Sequence, residues 1–337
     1  MTVIRLDIPT PDVTPTRTIA PTYTPIPPAT PLPSATLSNT ATPVPSSTPD
    51  HYAGLRIPEL IARDYGGGLV EIVDTLDEEE LFTRYLIRYP SDGLNIYGFM
   101  NVPHEGEKFP VAIVLHGYID PEDYRVEDYT SRYADWLAEA GYYVFHPNYR
   151  NHPPSDEGEN PFRIGYSLDT LNLMAIIRAQ SLDPTSTLRR ADGESIHLMG
   201  HSMGGGIAWR VITVRPEWVD AVAFYGSMNA DEALNFEKIQ EWTNGDGGDF
   251  ELESAWYELE AISPIYHLRR SYSVPVEIHH GARDTTVPVE WSVEACERLQ
   301  QYGFTVQCFT YNLSGHTFYG ASENLFMERL IDFFNRY

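Results

Sequence analysis

From residue 109 onward the chain alternates short, largely apolar runs with longer segments of helical spacing, which limits it to few folds. Residues 109–115, 142–146, 195–199, 219–225, 276–280 and 304–311 have strand length and are rich in β-branched and aromatic side chains. Between them, 128–140 places Tyr133, Trp136 and Leu137 at helical steps and stops at Gly141, while 167–180, 203–214 and 289–302 also read as helices. A last helix is expected over 324–335. Runs that are apolar throughout belong to strands covered on both faces, and strand–helix–strand units cross over right-handed. The expectation is an α/β fold built on a mostly parallel central sheet with helices on both faces.

Two further features complete the outline. Residues 81–89 and 94–102 are β-rich runs joined through Ser91-Asp92-Gly93, a hairpin that would form the antiparallel edge of the sheet. Between Tyr225 and Val276 some fifty residues, with Trp242, Trp256 and Tyr257 among many acids, interrupt the alternation. We read about 227–268 as a helical insertion over the site.

Composition draws the domain boundary. Twelve of the 26 prolines precede residue 51, whereas the first glycine is Gly54. Proline alternating with Thr, Ser and Ala favours extended chain and offers too few large apolar groups for a core. Residues 1–50 are therefore expected to be a disordered linker, and 51–337 a single domain.

The net charge is −25, almost all of it in that domain. Nucleic acid and anionic membrane surfaces are not expected as partners, because binding them requires basic side chains to displace counterions. The run Asp77-Glu78-Glu79-Glu80 reads as a solvated surface turn. No apolar run reaches eighteen residues, so no membrane span is expected. Met1 to Thr10 lacks the apolar core of a signal peptide. The Pro/Thr/Ser tract nevertheless matches the stalks of exported proteins, and the expectation is a secreted or surface-tethered protein whose export signal is supplied upstream. The two cysteines, Cys296 and Cys308, leave a disulfide and two free thiols both open.

The chemistry centres on Gly200-His201-Ser202-Met203-Gly204, placed where an apolar run ends and a helix begins. A Gly-x-Ser-x-Gly turn at a strand-to-helix junction lifts the serine onto a sharp bend, and the glycines let neighbouring backbone pass. A serine hydroxyl needs a base to take its proton, and the base needs an orienting group. Asp284 follows the run ending at Gly281, and His316 follows the last strand, so Ser202, Asp284 and His316 occur in the chain order this fold uses. Both lie beyond strand carboxyl ends, where catalytic groups of parallel sheets collect.

Donors for an oxyanion are expected from the backbone N–H of Met203 and from Tyr118, in the loop His116-Gly117-Tyr118 after an early strand. Gly200, His201, Gly204, His116 and Gly117 are read as support for these loops, and Tyr225, Trp242 and Trp256 as walls of the substrate pocket. His279 and His280 adjoin the site but alternate across a strand, so one is read as core and neither as a metal ligand. No metal or nucleotide motif is present, and no cofactor is expected; Asn244–Asp249 misses the register and final glutamate of a calcium loop.

With these residues placed, the chain from about Leu81 onward resembles the catalytic domain of the prolyl oligopeptidase family and the related dienelactone-hydrolase-like and esterase branches of the α/β-hydrolases. The resemblance is carried by the hairpin, by Val111–Gly117, His146-Pro147-Asn148-Tyr149-Arg150 and Ser263-Pro264-Ile265, and by the three loops. It implies an α/β-hydrolase fold and a serine hydrolase. The peptidases of that family carry a large β-propeller ahead of this domain, where this chain has a Pro/Thr-rich tract, so the resemblance favours a carboxylesterase over a peptidase of short peptides. A surface binding protein on an inactive hydrolase scaffold is the third reading, weakened by the presence of all three triad residues.

Overall fold

The computed structural model describes residues 50–337. The tract expected to be disordered lies outside the described residues, except for Asp50. Among the described residues nine strands form one sheet in the order β1-β2-β3-β5-β4-β6-β7-β8-β9. They are β1 Glu71–Glu78, β2 Phe82–Ser91, β3 Leu94–Pro103, β4 Phe109–Leu115, β5 Tyr143–Pro147, β6 Ala191–His201, β7 Ala221–Tyr225, β8 Val276–Gly281 and β9 Val306–Tyr311. β4 to β9 pair in parallel, and β1, β2 and β3 add antiparallel pairings at one side. This is the mostly parallel α/β sheet that the alternation predicts.

The helices are α1 Ile57–Ala62, α2 Ser131–Glu139, α3 Ile164–Gln180, α4 Met203–Val214, α5 Glu232–Trp242, α6 Asp249–Leu252, α7 Trp256–Ile262, α8 Val289–Gln301 and α9 Ala321–Phe334. Side-chain alternation assigns them to faces. In β4, Val111, Ile113 and Leu115 join the core beneath α1, α3, α4 and α8, whereas Ala112 and Val114 join the core beneath α2 and α9. β7 repeats the division, with Val222 and Phe224 on one side and Ala221, Ala223 and Tyr225 on the other. Each such fully buried large side chain contributes about 1.5–3 kcal/mol over its exposed state.

The structure departs from the sequence reading at the sheet edge. The expected hairpin forms, but β1 pairs outside β2 and takes the edge position. β1 is exposed along almost its whole length, so it lacks the in–out alternation that marks a strand. The acidic run is indeed exposed; Asp77 and Glu78 close β1, and the Glu79 N–H donates to the Phe82 carbonyl across the turn.

The segment between β7 and β8 is helical, formed by α5, α6 and α7. Its anchor is a buried polar cluster. Arg210 of α4 pairs with Glu232 of α5, Glu232 also accepts from Asn235 at 3.0 Å, and the Ser263 hydroxyl receives the Glu232 N–H at 3.0 Å and donates to the Leu259 carbonyl at 2.6 Å. Cys296 of α8 and Cys308 of β9 form a disulfide. No helix among the described residues is long and apolar enough to cross a membrane.

Candidate active site

Ser202 stands alone between β6 and α4 with φ 55° and ψ −118°, a conformation that costs on the order of 1–3 kcal/mol in a non-glycine residue. Surrounding hydrogen bonds hold it there. The Ser202 N–H donates to the Tyr225 carbonyl, and the Ser202 carbonyl receives the N–H groups of Met228 and Gly205, all at 3.0 Å. Gly204 explains why the motif needs its second glycine: a Cβ there would lie 2.0 Å from the Leu115 carbonyl oxygen, where α4 passes the end of β4.

Asp284 follows β8, and its carboxylate is closed off from solvent. Oδ2 accepts from His316 Nδ1 at 2.7 Å and lies 3.1 Å from His280 Nε2. Oδ1 accepts the N–H groups of Thr286 and Val287 at 2.8 and 2.9 Å. Burial alone would push its pKa up. The hydrogen bonds from His280 and His316, with the charge of His316 and the Val287 N–H, outweigh burial and hold the carboxyl well below the usual carboxylate range. His316 presents Nδ1–H to this carboxylate, which leaves Nε2 as the basic nitrogen.

Ser202 and His316 line one cavity of about 700 Å3. Among the described residues the Ser202 hydroxyl makes no hydrogen bond; contacts between a nucleophile and its base are commonly loose before substrate binds. Met203 and Tyr118 line the same cavity, and among the described residues neither backbone N–H donates to an acceptor. Met203 opens α4, so its N–H is one of the donors a helix start leaves over. The loop at 116–118 is braced from below by His116, whose buried ring lies 2.7 Å from the Gly117 carbonyl through Nδ1.

The three expected pocket residues separate. Trp242 lines the cavity. Tyr225 does not: it points from β7 into the core, fully buried, with its ring 4.3 Å from that of His201 and its hydroxyl accepting the Phe318 N–H. Trp256 does not either. It opens α7 at 74% exposure and meets Tyr257 on the outside of the insertion.

Several contributors escape sequence reading. His280 supports the carboxylate, while His279 points to the other face toward Glu277 and Tyr311. The strand alternation separates the two histidines but does not say which one meets Asp284. Arg163 lines the cavity from the junction before α3, at φ 57°, with its guanidinium 5.5 Å from the Phe236 ring centre. Met228, Tyr129 and Tyr319 also line it and carry no local motif. Among the described residues no group of three or more His, Cys, Asp or Glu side chains is arranged to hold a metal.

Comparison with known proteins agrees with this architecture. Residues 96–329 match the family model described as the dienelactone hydrolase family. A curated protein of Escherichia coli (strain K12), named "Putative carboxymethylenebutenolidase", is 21% identical over 280 residues, covering 75% of this chain and 91% of that protein. Acetyl xylan esterase 1 from Thermoanaerobacterium sp. JW/SL YS485 superimposes with TM-score 0.58 at 16% identity, over 82% of this chain and 92% of that one. An acylaminoacyl peptidase of Pyrococcus horikoshii gives TM-score 0.58 at 21% identity, over 77% of this chain but only 42% of the peptidase. The two structural likenesses speak to the fold, and the family match spans more than two thirds of the sequence. The chain belongs to the dienelactone hydrolase family of the α/β-hydrolase superfamily and is a hydrolase.

Proposed function

We propose that the protein is a serine carboxylic ester hydrolase that works through an acyl-enzyme. Ser202 Oγ attacks the ester carbonyl while His316 Nε2 takes its proton. Asp284 holds the resulting imidazolium and its orientation, and the N–H groups of Met203 and Tyr118 receive the negative charge that develops on the carbonyl oxygen. Collapse expels the alcohol, which takes the proton back from His316. Water then repeats the sequence to release the acid.

The observation that carries this reading is the 2.7 Å hydrogen bond between Asp284 and His316, made beside a strained serine at a helix start. Esters are favoured over amides because the leaving alcohol departs more readily, and because a lactone, the bond in the family's name, is an internal ester. Trp242, Met228 and Arg163 would shape the acyl or alcohol pocket, and the substrate would be a small ester. We also place the protein in an oxidising compartment, secreted or tethered at the surface; the Cys296–Cys308 disulfide supports this, since such bonds are rare in reducing cytosol. A short-peptide activity is the second reading, supported by the likeness to an acylaminoacyl peptidase.

A panel of p-nitrophenyl esters against aminoacyl and dipeptidyl anilides separates the two. Ester turnover is expected to dominate and to fall on the order of a million-fold in Ser202→Ala. Anilide hydrolysis faster than ester hydrolysis would reverse the assignment.

A further inference from the structure

His201, the residue between the first glycine of the elbow and Ser202, is fully buried yet hydrogen-bonded at both ring nitrogens. Nε2 lies 3.0 Å from the main-chain carbonyl of His316. A carbonyl only accepts, so the proton sits on Nε2 and Nδ1 of the neutral ring is an acceptor. Nδ1 lies 2.8 Å from the Tyr129 hydroxyl, which must therefore donate to it. The same hydroxyl accepts the Gly117 N–H at 3.0 Å. The result is a one-way series of three hydrogen bonds: Gly117 N–H to Tyr129, Tyr129 O–H to His201, and His201 N–H to the carbonyl of His316.

The series joins the loops that matter. One end is the 116–118 loop, the other is the backbone of the base itself, and the middle is the elbow. Because Gly117 N–H is already engaged and His116 holds the Gly117 carbonyl, the planar trans peptide that follows turns the Tyr118 N–H to the opposite side. A side chain at 117 is incompatible with the contact, since its Cβ would stand 2.3 Å from the Tyr129 oxygen. Burial suits both relays to fixed roles: it pushes His201 down to about 3, helped by the neighbouring His316, and pushes the Tyr129 phenol up. The ring stays neutral and the hydroxyl keeps its proton across the working range.

We propose that Tyr129 and His201 are positioning residues for the reaction, holding the oxyanion peptide and the carbonyl of His316 in register with Ser202. This rests on the serine hydrolase reading above and adds two residues that act on the substrate only through others.

The test is steady-state kinetics on p-nitrophenyl acetate for the parent protein, Ser202→Ala, Tyr129→Phe, His201→Phe, His201→Gln and the Tyr129→Phe/His201→Phe double variant. Thermal unfolding verifies the fold of each. Tyr129→Phe and His201→Phe are expected to lower kcat about 10- to 100-fold, the cost of misplacing reacting groups by a fraction of a bond length or more, with KM within about threefold of the parent. His201→Gln retains an N–H donor for the His316 carbonyl and should recover part of the loss. The double variant should be no slower than the worse single one, because one series is broken twice. In the parent, the 15N–1H spectrum of His201 should place the proton on Nε2.

Unchanged kcat in both single variants, losses that multiply in the double, or a proton on Nδ1 would overturn the proposal. If Ser202→Ala abolishes turnover while Tyr129→Phe leaves it intact, the positioning role alone falls. A parent protein without ester turnover removes the hydrolase reading and this proposal together.

Discussion

Asp284 accepts from two imidazoles and two backbone N–H groups, and this satisfied, buried carboxylate gives His316 a fixed tautomer. Asp284→Asn keeps the shape but removes the charge and offers a donor where His316 also donates. Its kcat for esters is expected to fall by about 10⁴, the size of effect known for this substitution in serine proteases, with little change in thermal stability. A loss under tenfold, read from initial rates at neutral pH, would remove Asp284 from the proposed mechanism. At this scale the sequence placed residues by local pattern: Ser202 at a strand-to-helix turn, Asp284 and His316 beyond strand ends, and the structure has them at those places. It did not disclose Tyr129, His280 or Arg163, because each earns its place by contacts distant in sequence; Tyr129 meets His201 across 72 positions. Tyr225, read as a wall of the pocket, is turned by strand alternation into the core.

Elements behave in the same way. Strands β4, β5 and β7 were legible because burial on both faces leaves a nearly unbroken apolar run, and α4 because a glycine-rich start follows the buried end of β6. β1 was not legible, since an exposed edge strand carries no apolar period. The insertion was recognised by the interrupted alternation, while its anchoring could not be, because Arg210 and Glu232 sit on different elements. Glu232→Ala leaves the Arg210 guanidinium buried without its carboxylate. Removing one member of such a pair costs about 3–5 kcal/mol. The urea midpoint of Glu232→Ala should drop accordingly, and because α5 carries Trp242 into the cavity, KM should rise for bulky esters more than for acetate. An unchanged midpoint would show that the pair does not hold the insertion.

The molecule as a whole is acidic, with a net charge of −25, yet buried histidines also bear on its stability at low pH. Burial pushes His116 down to about 4 and His201 down to about 3 from 6.5. Below pH 6.5 the unfolded chain therefore binds protons that the folded chain refuses. Stability is full above that pH and falls as pH drops toward 4, by about 1.4 kcal/mol per pH unit for each of the two rings. Asp284 acts later: its carboxyl is held low, so its contribution is present above the unfolded value of 3.8 and is lost only as pH falls through the folded one. Urea unfolding at pH 7, 6 and 5 should show the midpoint dropping through this interval, whereas a flat profile from 7 to 5 would mean that these rings protonate in place.

The proposed convergence of three distant loops on the Ser202 hydroxyl is tested most directly by covalent capture. Incubation with a fluorophosphonate followed by peptide mapping should place a single phosphonyl adduct on Ser202, absent from Ser202→Ala and strongly slowed in His316→Ala. A folded protein that remains unlabelled, or one labelled at a different residue with Ser202 untouched, would contradict the triad.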